Sequence, residues 1–189
     1  MVKANSMEIW TIGHSNLQLD DFVALLQQHD IELVGDIRRF PGSRKFPHFG
    51  QELLSESLQS QGINYRWLEG LGGRRSQQDA TSPSPNDGLR NQSFRNYADY
   101  MLTETFREAF AELKQIAAAK RTAIMCSESV FWRCHRRLVS DYTVTSGGTV
   151  HHIFPDGKTR PHALTNEAVI KNSSDSPQVI YPGAPTLFD

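Results

Sequence analysis

Hydrophobic and polar positions follow two different periods along this chain of 189 residues. Short apolar runs such as "EIWTIGH" (8–14) are typical of buried strands, whereas segments such as "LDDFVALLQQHD" (19–30) carry apolar residues at helical spacing. The predicted strands are residues 8–14, 31–40, 63–69, 121–128 and 149–154. The predicted helices are residues 19–30, 51–62, 93–119, 131–148 and 164–170. The pattern does not decide whether the longest of them is interrupted near Thr103.

Strands that alternate with helices indicate a particular architecture. We expect a single three-layer α/β domain over residues 8–171, with a mostly parallel central sheet of about five strands and helices on both faces. Residues 1–7 would be a leader and residues 172–189 a tail with little structure of its own. Residues 70–92 are rich in glycine and proline and have no periodic apolar pattern, which predicts a flexible loop.

Composition excludes several classes of protein. A hydrophobic fraction of 38% with ten Phe is that of a folded chain, and a net charge of −1 argues against a surface that coats polyanions in general. The longest apolar stretches fall far short of the ~20 residues of a membrane span, so we expect no membrane partner. With two cysteines and no apolar signal core at the N-terminus, a cytoplasmic location and free thiols are expected.

Polar and ionisable residues follow three of the predicted strands. The first strand ends in His14 and Ser15, the second in Asp36 and the arginines after it, and the fourth in residues 126–128, which include Cys126 and Glu128. In parallel sheets, ligands bind beyond the carboxyl ends of the strands. The sequence therefore predicts a ligand site at this edge of the sheet.

Several ordered motifs resemble a known family. They are "TIGHSN", "GDIRRFPGSRKFPHF", "LGGRR", "NQSFRNYADYM" and "MCSESVFWRCHRRLVSDY". Together they resemble the domain of unknown function 488 family over roughly residues 8–170. The resemblance implies that the motif residues form a shared site, and the family name assigns no activity.

Clustered arginines indicate anion binding. Arg133 and Arg136 share one face of a predicted helix, and further arginines follow the second strand, where Asp36 or Glu128 would hold some of them in place. Aromatic residues such as Phe40 interleave with them, as in pockets that stack nucleotide bases, although most of these rings are expected in the core. The predicted substrate-binding residues are Ser15, Arg38, Arg39, Ser43, Arg44, Arg95, Tyr97, Arg133 and Arg136.

The candidates for catalysis are groups that transfer protons or attack a substrate. The strand-end thiol Cys126 is similar in position to the nucleophile of rhodaneses and cysteine phosphatases, but six residues separate it from Arg133, one more than in the phosphatases. An inert core thiol is the alternative. The predicted catalytic residues are Cys126, Glu128, His135, Asp36 and His14.

Metal binding is the weaker interpretation of these residues. Cys126, Cys134, His135 and His14 could meet, but the two cysteines lack the short spacing of a structural zinc site. Helical spacing aligns Cys134 with Leu138 and favours packing against the sheet. We therefore predict no metal and no cofactor.

These observations favour an enzyme that acts on a phosphate-bearing substrate, preferably a nucleotide or nucleic acid. The alternatives are a non-enzymatic nucleic-acid or protein-binding module and a sulfur carrier that uses Cys126. The C-terminal "PTLFD" (185–189) is similar to peptides that bind the DNA sliding clamp, which makes that clamp a candidate partner; docking of this segment on its own domain is the alternative.

Overall fold

The computed structural model describes residues 6–77, 83–172 and 177–183. Within them, six strands form one sheet in the order β3-β2-β4-β1-β5-β6, and only the β5–β6 pair is antiparallel. A separate antiparallel pair consists of β7 and β8. The strands are β1 (Glu8–Gly13), β2 (Leu33–Asp36), β3 (Asn64–Trp67), β4 (Thr122–Cys126), β5 (Thr149–Ile153), β6 (Thr159–Pro161), β7 (Val169–Asn172) and β8 (Pro177–Ile180).

Five α-helices cover both faces of the sheet within the described ranges. They are α1 (Leu19–Gln28), α2 (Gln51–Ser60), α3 (Gln92–Tyr100), α4 (Glu104–Ala119) and α5 (Arg136–Thr145). Successive strand residues point to opposite faces, so Met125 packs with α1 and α2, whereas Ile124 and Cys126 pack with the other three helices. The predicted three-layer α/β architecture is confirmed. No helix in the described ranges is long and apolar enough to cross a membrane.

The register of the sheet brings the predicted strand ends together. Gly13 pairs with Cys126, and Asp36 pairs with Met125, because β4 lies between β1 and β2. The carboxyl ends of all three strands therefore meet at one edge.

The structure breaks the longest predicted helix near Thr103, a possibility that the sequence leaves open. Thr103 has an extended backbone, and its hydroxyl accepts a hydrogen bond from the amide of Phe106, which starts α4. The side chain of Asn91 caps α3 in the same way. Of the two helices that replace the predicted long one, α3 and α4, each thus has its own N-terminal cap.

The predicted helix over residues 131–148 is shorter than expected. Phe131–Arg133 is a single 3-10 turn, Cys134 is extended, and α5 begins only at Arg136. The helical periodicity detected in the sequence therefore misplaced Cys134, which precedes the helix.

The predicted helix over residues 164–170 is wrong. The last residues of that segment begin β7, which pairs with β8, and the amide of Thr165 donates to Asp141 rather than starting a helix. The expected unstructured tail is wrong for β8 and for Tyr181, which is buried and donates its hydroxyl to Asp141. Contacts between segments distant in the sequence determine both the β7–β8 pair and the position of Tyr181, and such contacts leave no signal in the local sequence. The segment "PTLFD" lies outside the described residues.

Candidate functional site

A cavity of about 380 Å³ opens at the edge where β2 and β4 end. Its lining combines basic, aromatic and thiol side chains, and several of them come from loops after strands. The residues that matter for its chemistry are Arg38, Arg39, Phe40, Arg74, Phe94, Tyr97, Cys126, Glu128, Arg133, Cys134 and His135. Their position agrees with the predicted site at the carboxyl edge of the sheet.

The base of this cavity holds Cys126, Cys134 and His135, which we call the thiol–imidazole cluster. The Sγ atoms of Cys126 and Cys134 lie 3.9 Å and 3.6 Å from Nδ1 of His135, and all three side chains are buried. Cys126 is the last residue of β4, and the extended backbone at Cys134 returns the chain to it after the 3-10 turn. Cys126 and Cys134 are eight positions apart in the sequence, yet their sulfur atoms lie within 4.8 Å of each other.

The ring of His135 has a defined orientation. Its Nε2 lies 2.9 Å from the carbonyl oxygen of Ile37. Because a carbonyl only accepts hydrogen bonds, Nε2 carries a proton, so in the neutral imidazole Nδ1 is the nitrogen with a lone pair, and it faces the two sulfurs. Gly73 packs against this ring so closely that an added Cβ would lie 2.8 Å from Nδ1. This contact explains a glycine in "LGGRR".

The two thiols differ in acidity. Burial raises the pKa of Cys134, but the hydrogen bond from Cys126 and the nearby charge of Arg136 outweigh that effect and lower it below the ordinary value. The hydrogen bond with Cys134, followed by burial, raises the pKa of Cys126. Of the two, Cys134 is the thiol that ionises more readily, whereas the sequence had directed attention to Cys126.

Three arginines surround the mouth of the cavity: Arg39, Arg74 and Arg133, which we call the arginine rim. Arg39 lies 3.8 Å from the carboxylate of Glu69, at the limit of an ion pair. Within the described part of the chain, Arg74 and Arg133 form no ion pair. The rim therefore leaves positive charge available to an anion.

Arg38 reaches the cavity, but its charge is already balanced. Its guanidinium binds the carboxylate of Asp36 through Nε and NH2 and donates to the carbonyl oxygen of Phe49. Asp36 is fully buried, also accepts from the hydroxyl of Tyr65 at 2.7 Å, and does not line the cavity. The prediction that Asp36 holds an arginine is confirmed, and this arrangement does not place Asp36 in contact with a ligand.

A second, more open cavity of about 540 Å³ lies beside the first. His14, Ser15 and Ser43 line it, and the two cavities share Arg38, Ser127 and Glu128. The ring of His14 stacks on Phe49 with centroids 4.2 Å apart. Burial, together with the charge of Arg38, lowers the pKa of His14 to about 4. His14 is therefore neutral near pH 7 and belongs to the neighbouring cavity rather than to the thiol–imidazole cluster.

The remaining predicted residues divide between the cavity and the scaffold. Glu128 is exposed at the border of both cavities, and Tyr97 faces the first while its hydroxyl donates to the carbonyl of Leu71. Arg44 is exposed and lines neither cavity. Arg95 also lines neither, and it donates to the carbonyl oxygen of Leu89.

Arg136 differs most from its predicted role. Only 1% of its surface is exposed, and NH2 donates to the carbonyl oxygens of Glu128 and Ser129. Its guanidinium therefore fixes the loop after β4 and lies away from both cavities. The carboxylate of Glu128 forms no ion pair among the described residues, so the expectation that Glu128 holds an arginine with its carboxylate is wrong there.

Sequence reasoning missed two important members of the site. Cys134 was assigned to packing because a helix was predicted through it. Arg74 lies in a loop without periodicity, and the quoted motif "LGGRR" was its only signal. The exposed aromatic ring at the mouth is Phe40, 68% exposed, whereas Phe49 and Tyr97 are buried.

Comparisons with known proteins match this chain to a protein family. The family model described as "Domain of unknown function DUF488" matches residues 18–143, well over half of the chain. That range includes the thiol–imidazole cluster and the arginine rim. No curated protein and no solved structure matches.

Proposed function

This chain belongs to the family described as domain of unknown function DUF488, and from its site we propose that it is an enzyme that binds a phosphate-bearing substrate, with a nucleotide or nucleic acid favoured. The observation that carries the proposal is the arginine rim above the thiol–imidazole cluster in one cavity. A cavity of about 380 Å³ is in the size range of small-molecule sites. Guanidinium groups bind phosphate with two parallel hydrogen bonds.

The interior of the cavity favours an enzyme over a simple anion-binding protein. Cys134, His135 and Glu128 can each accept or donate a proton, and they lie below or beside the rim. An anion held by Arg133 and Arg74 would bring the rest of its molecule over these groups. Glu128, on the exposed loop after β4, is the residue that we assign to proton transfer.

Phe40 supports a nucleotide as the substrate. Its ring lies at the mouth of the cavity beside the rim and is not packed into the core. Exposed aromatic rings next to arginines bind bases by stacking while the arginines bind phosphates. The combination fits a nucleotide better than an anion that lacks a base.

The other candidate functions receive less support. A sulfur carrier would need an accessible and acidic Cys126, but this thiol is 7% exposed and its pKa is raised. A non-enzymatic nucleic-acid module would use the same arginine rim and differs only in the absence of turnover. The experiment must therefore measure binding and reaction separately.

Binding is tested by titrating the full-length protein with nucleoside mono- and diphosphates and with short single-stranded oligonucleotides at low and high salt. We expect Arg133→Ala and Arg74→Ala each to weaken binding about tenfold. Arg160→Ala serves as the control, because Arg160 is exposed on β6 and lines neither cavity. Equal affinity of the rim variants and the control would refute the anion site.

Reaction is tested by mass spectrometry of the same ligands after incubation with the protein. A product that disappears with Glu128→Gln, while the affinity is retained, supports an enzyme. Salt-dependent binding without any product across the panel supports the non-enzymatic module instead.

A further inference from the structure

We propose that Cys126, Cys134 and His135 bind one zinc ion, with a coordination position open to the cavity. This inference deepens the proposed function, because the ion would face the bound substrate. Its catalytic role therefore rests on the proposed function. Two thiolates and one imidazole are a ligand set typical of catalytic zinc, which keeps a fourth position for water or substrate. The prediction from cysteine spacing had argued against this site.

The distances between the ligand atoms fit a tetrahedral ion. With ordinary zinc–sulfur and zinc–nitrogen bonds, a sulfur and a nitrogen ligand lie about 3.5 Å apart and two sulfurs about 3.8 Å apart. Nδ1 of His135 lies 3.6 Å from one sulfur and 3.9 Å from the other, and all three ligand atoms lie within 4.8 Å of one another. Small side-chain shifts would complete the geometry.

The surroundings of the cluster also suit a metal ion. The hydrogen bond from Nε2 of His135 to the carbonyl of Ile37 orients the ring with Nδ1 towards the sulfurs, as the outer hydrogen bonds of metal-binding histidines do. The backbone amide of Arg136 donates to Sγ of Cys134 at 3.5 Å, which stabilises a thiolate. Two thiolates neutralise a divalent ion, so the complex can remain buried.

The cavity determines the role of the ion. All three ligands line it, together with Glu128 and Arg133, so the fourth position faces the space that we assign to the substrate. Water or a phosphate oxygen could occupy that position. Zinc binds the thiolate form of cysteine, so both thiols must be deprotonated in the complex and the affinity for zinc should rise with pH.

The test uses reduced, full-length protein freed of metal and titrated with Co²⁺, whose spectrum reports its ligands. We expect thiolate-to-cobalt charge transfer and tetrahedral d–d absorption that saturate at about one ion per chain and disappear when Zn²⁺ is added. Cys126→Ser and Cys134→Ser should each remove about half of the charge-transfer intensity and weaken binding at least about tenfold. His151→Gln, a histidine on β5 outside the cluster, should behave as wild type.

The wild-type spectrum alone can overturn the proposal, so it does not depend on whether a variant folds. Absence of thiolate-to-cobalt absorption, or a Cys126–Cys134 disulfide that persists in reducing buffer, would refute the site. Cobalt binding without nucleotide or phosphate binding supports the metal site and refutes the proposed substrate class. Binding of nucleotide or phosphate without a cobalt spectrum supports the proposed substrate class and refutes the metal site.

Discussion

Arg136 and Glu128 are joined by a hydrogen bond of 2.5 Å from the guanidinium to the backbone carbonyl oxygen. Arg136 is the first residue of α5, and its buried side chain holds the loop that follows β4. That loop places Glu128 at the cavity. A side chain that the sequence pattern assigned to substrate binding instead supports the site from behind. Variants of Arg136 and Gly13 test how firmly the fold holds that loop.

Replacing Arg136 should destabilise the protein and disturb the cavity together. Arg136→Ala leaves two carbonyl acceptors without their donor and empties a buried volume, for a loss of about 2–4 kcal/mol in the free energy of unfolding. Urea unfolding measures this loss. Arg107→Ala, which removes a surface pair with Glu104, should cost about 0.5 kcal/mol or less. Equal effects of the two variants would contradict the assigned role.

Gly13 tests how closely β1 approaches the same loop. A Cβ built on Gly13 would overlap the carbonyl oxygen of Glu128, and backbone cannot move aside as a flexible side chain can. Gly13→Ala should therefore destabilise the protein by about 2–4 kcal/mol and lower ligand affinity. Gly42→Ala is the matched control, because nothing lies within 4 Å of its added Cβ. Thermal unfolding of the two variants gives the comparison.

Asp36 holds the charge of Arg38 inside the fold. Asp36→Asn keeps the shape of the side chain but leaves the buried guanidinium without its counter-charge, which costs about 3–5 kcal/mol. Asp156→Asn removes an exposed pair with Lys158 and should have little effect. Chemical unfolding at neutral pH measures the loss of stability in both variants. If Asp36→Asn were as mild as Asp156→Asn, the buried Asp36–Arg38 pair would not have the stabilising role assigned to it.

Two buried histidines predict how stability depends on pH. Burial and the charge of Arg38 lower the pKa of His14 to about 4, and burial with the neighbouring His162 lowers that of His152 to about 2. Below the ordinary value of 6.5 the unfolded chain binds protons that the folded chain rejects. The free energy of unfolding should thus decrease as pH falls from 6.5, by up to about 1.4 kcal/mol per pH unit for each histidine.

The contribution of His14 can be measured separately. His14→Phe keeps a ring against Phe49 and removes the titrating group, so its stability should change less between about pH 6 and pH 5 than that of wild type. A wild-type stability that stays constant over this interval would contradict the lowered pKa values.

Phe40 separates base recognition from phosphate recognition. Phe40→Ala should weaken binding of a nucleotide by ~1–3 kcal/mol, roughly 5- to 150-fold, because a stacking surface is lost. Inorganic pyrophosphate should bind the variant and wild type equally. Trp132→Ala is the control, since Trp132 is also exposed but does not line the cavity. Isothermal titration with both ligands decides whether the substrate carries a base.

The local pattern of the sequence was sufficient for the layered α/β fold and for the edge where polar residues collect. Apolar runs identify β1, β2 and β4, and helical spacing identifies α1 and α2, because burial of one face requires those periods. Parallel pairing then places the ends of the strands together. Cys126, His135 and Arg133 could for this reason be assigned to one site from the sequence.

Tertiary structure alone decided which of those side chains line the cavity. Arg38 and Arg136 look alike in the sequence, but oxygen acceptors of the fold hold both, whereas Arg74, in a loop without periodicity, lines the cavity and has no ion pair among the described residues. Cys134 joins Cys126 because the helix starts at Arg136, five residues later than its periodicity predicts. The physical reason is that hydrogen bonds and packing across the fold determine where a side chain points, and these contacts join residues that are distant in the sequence.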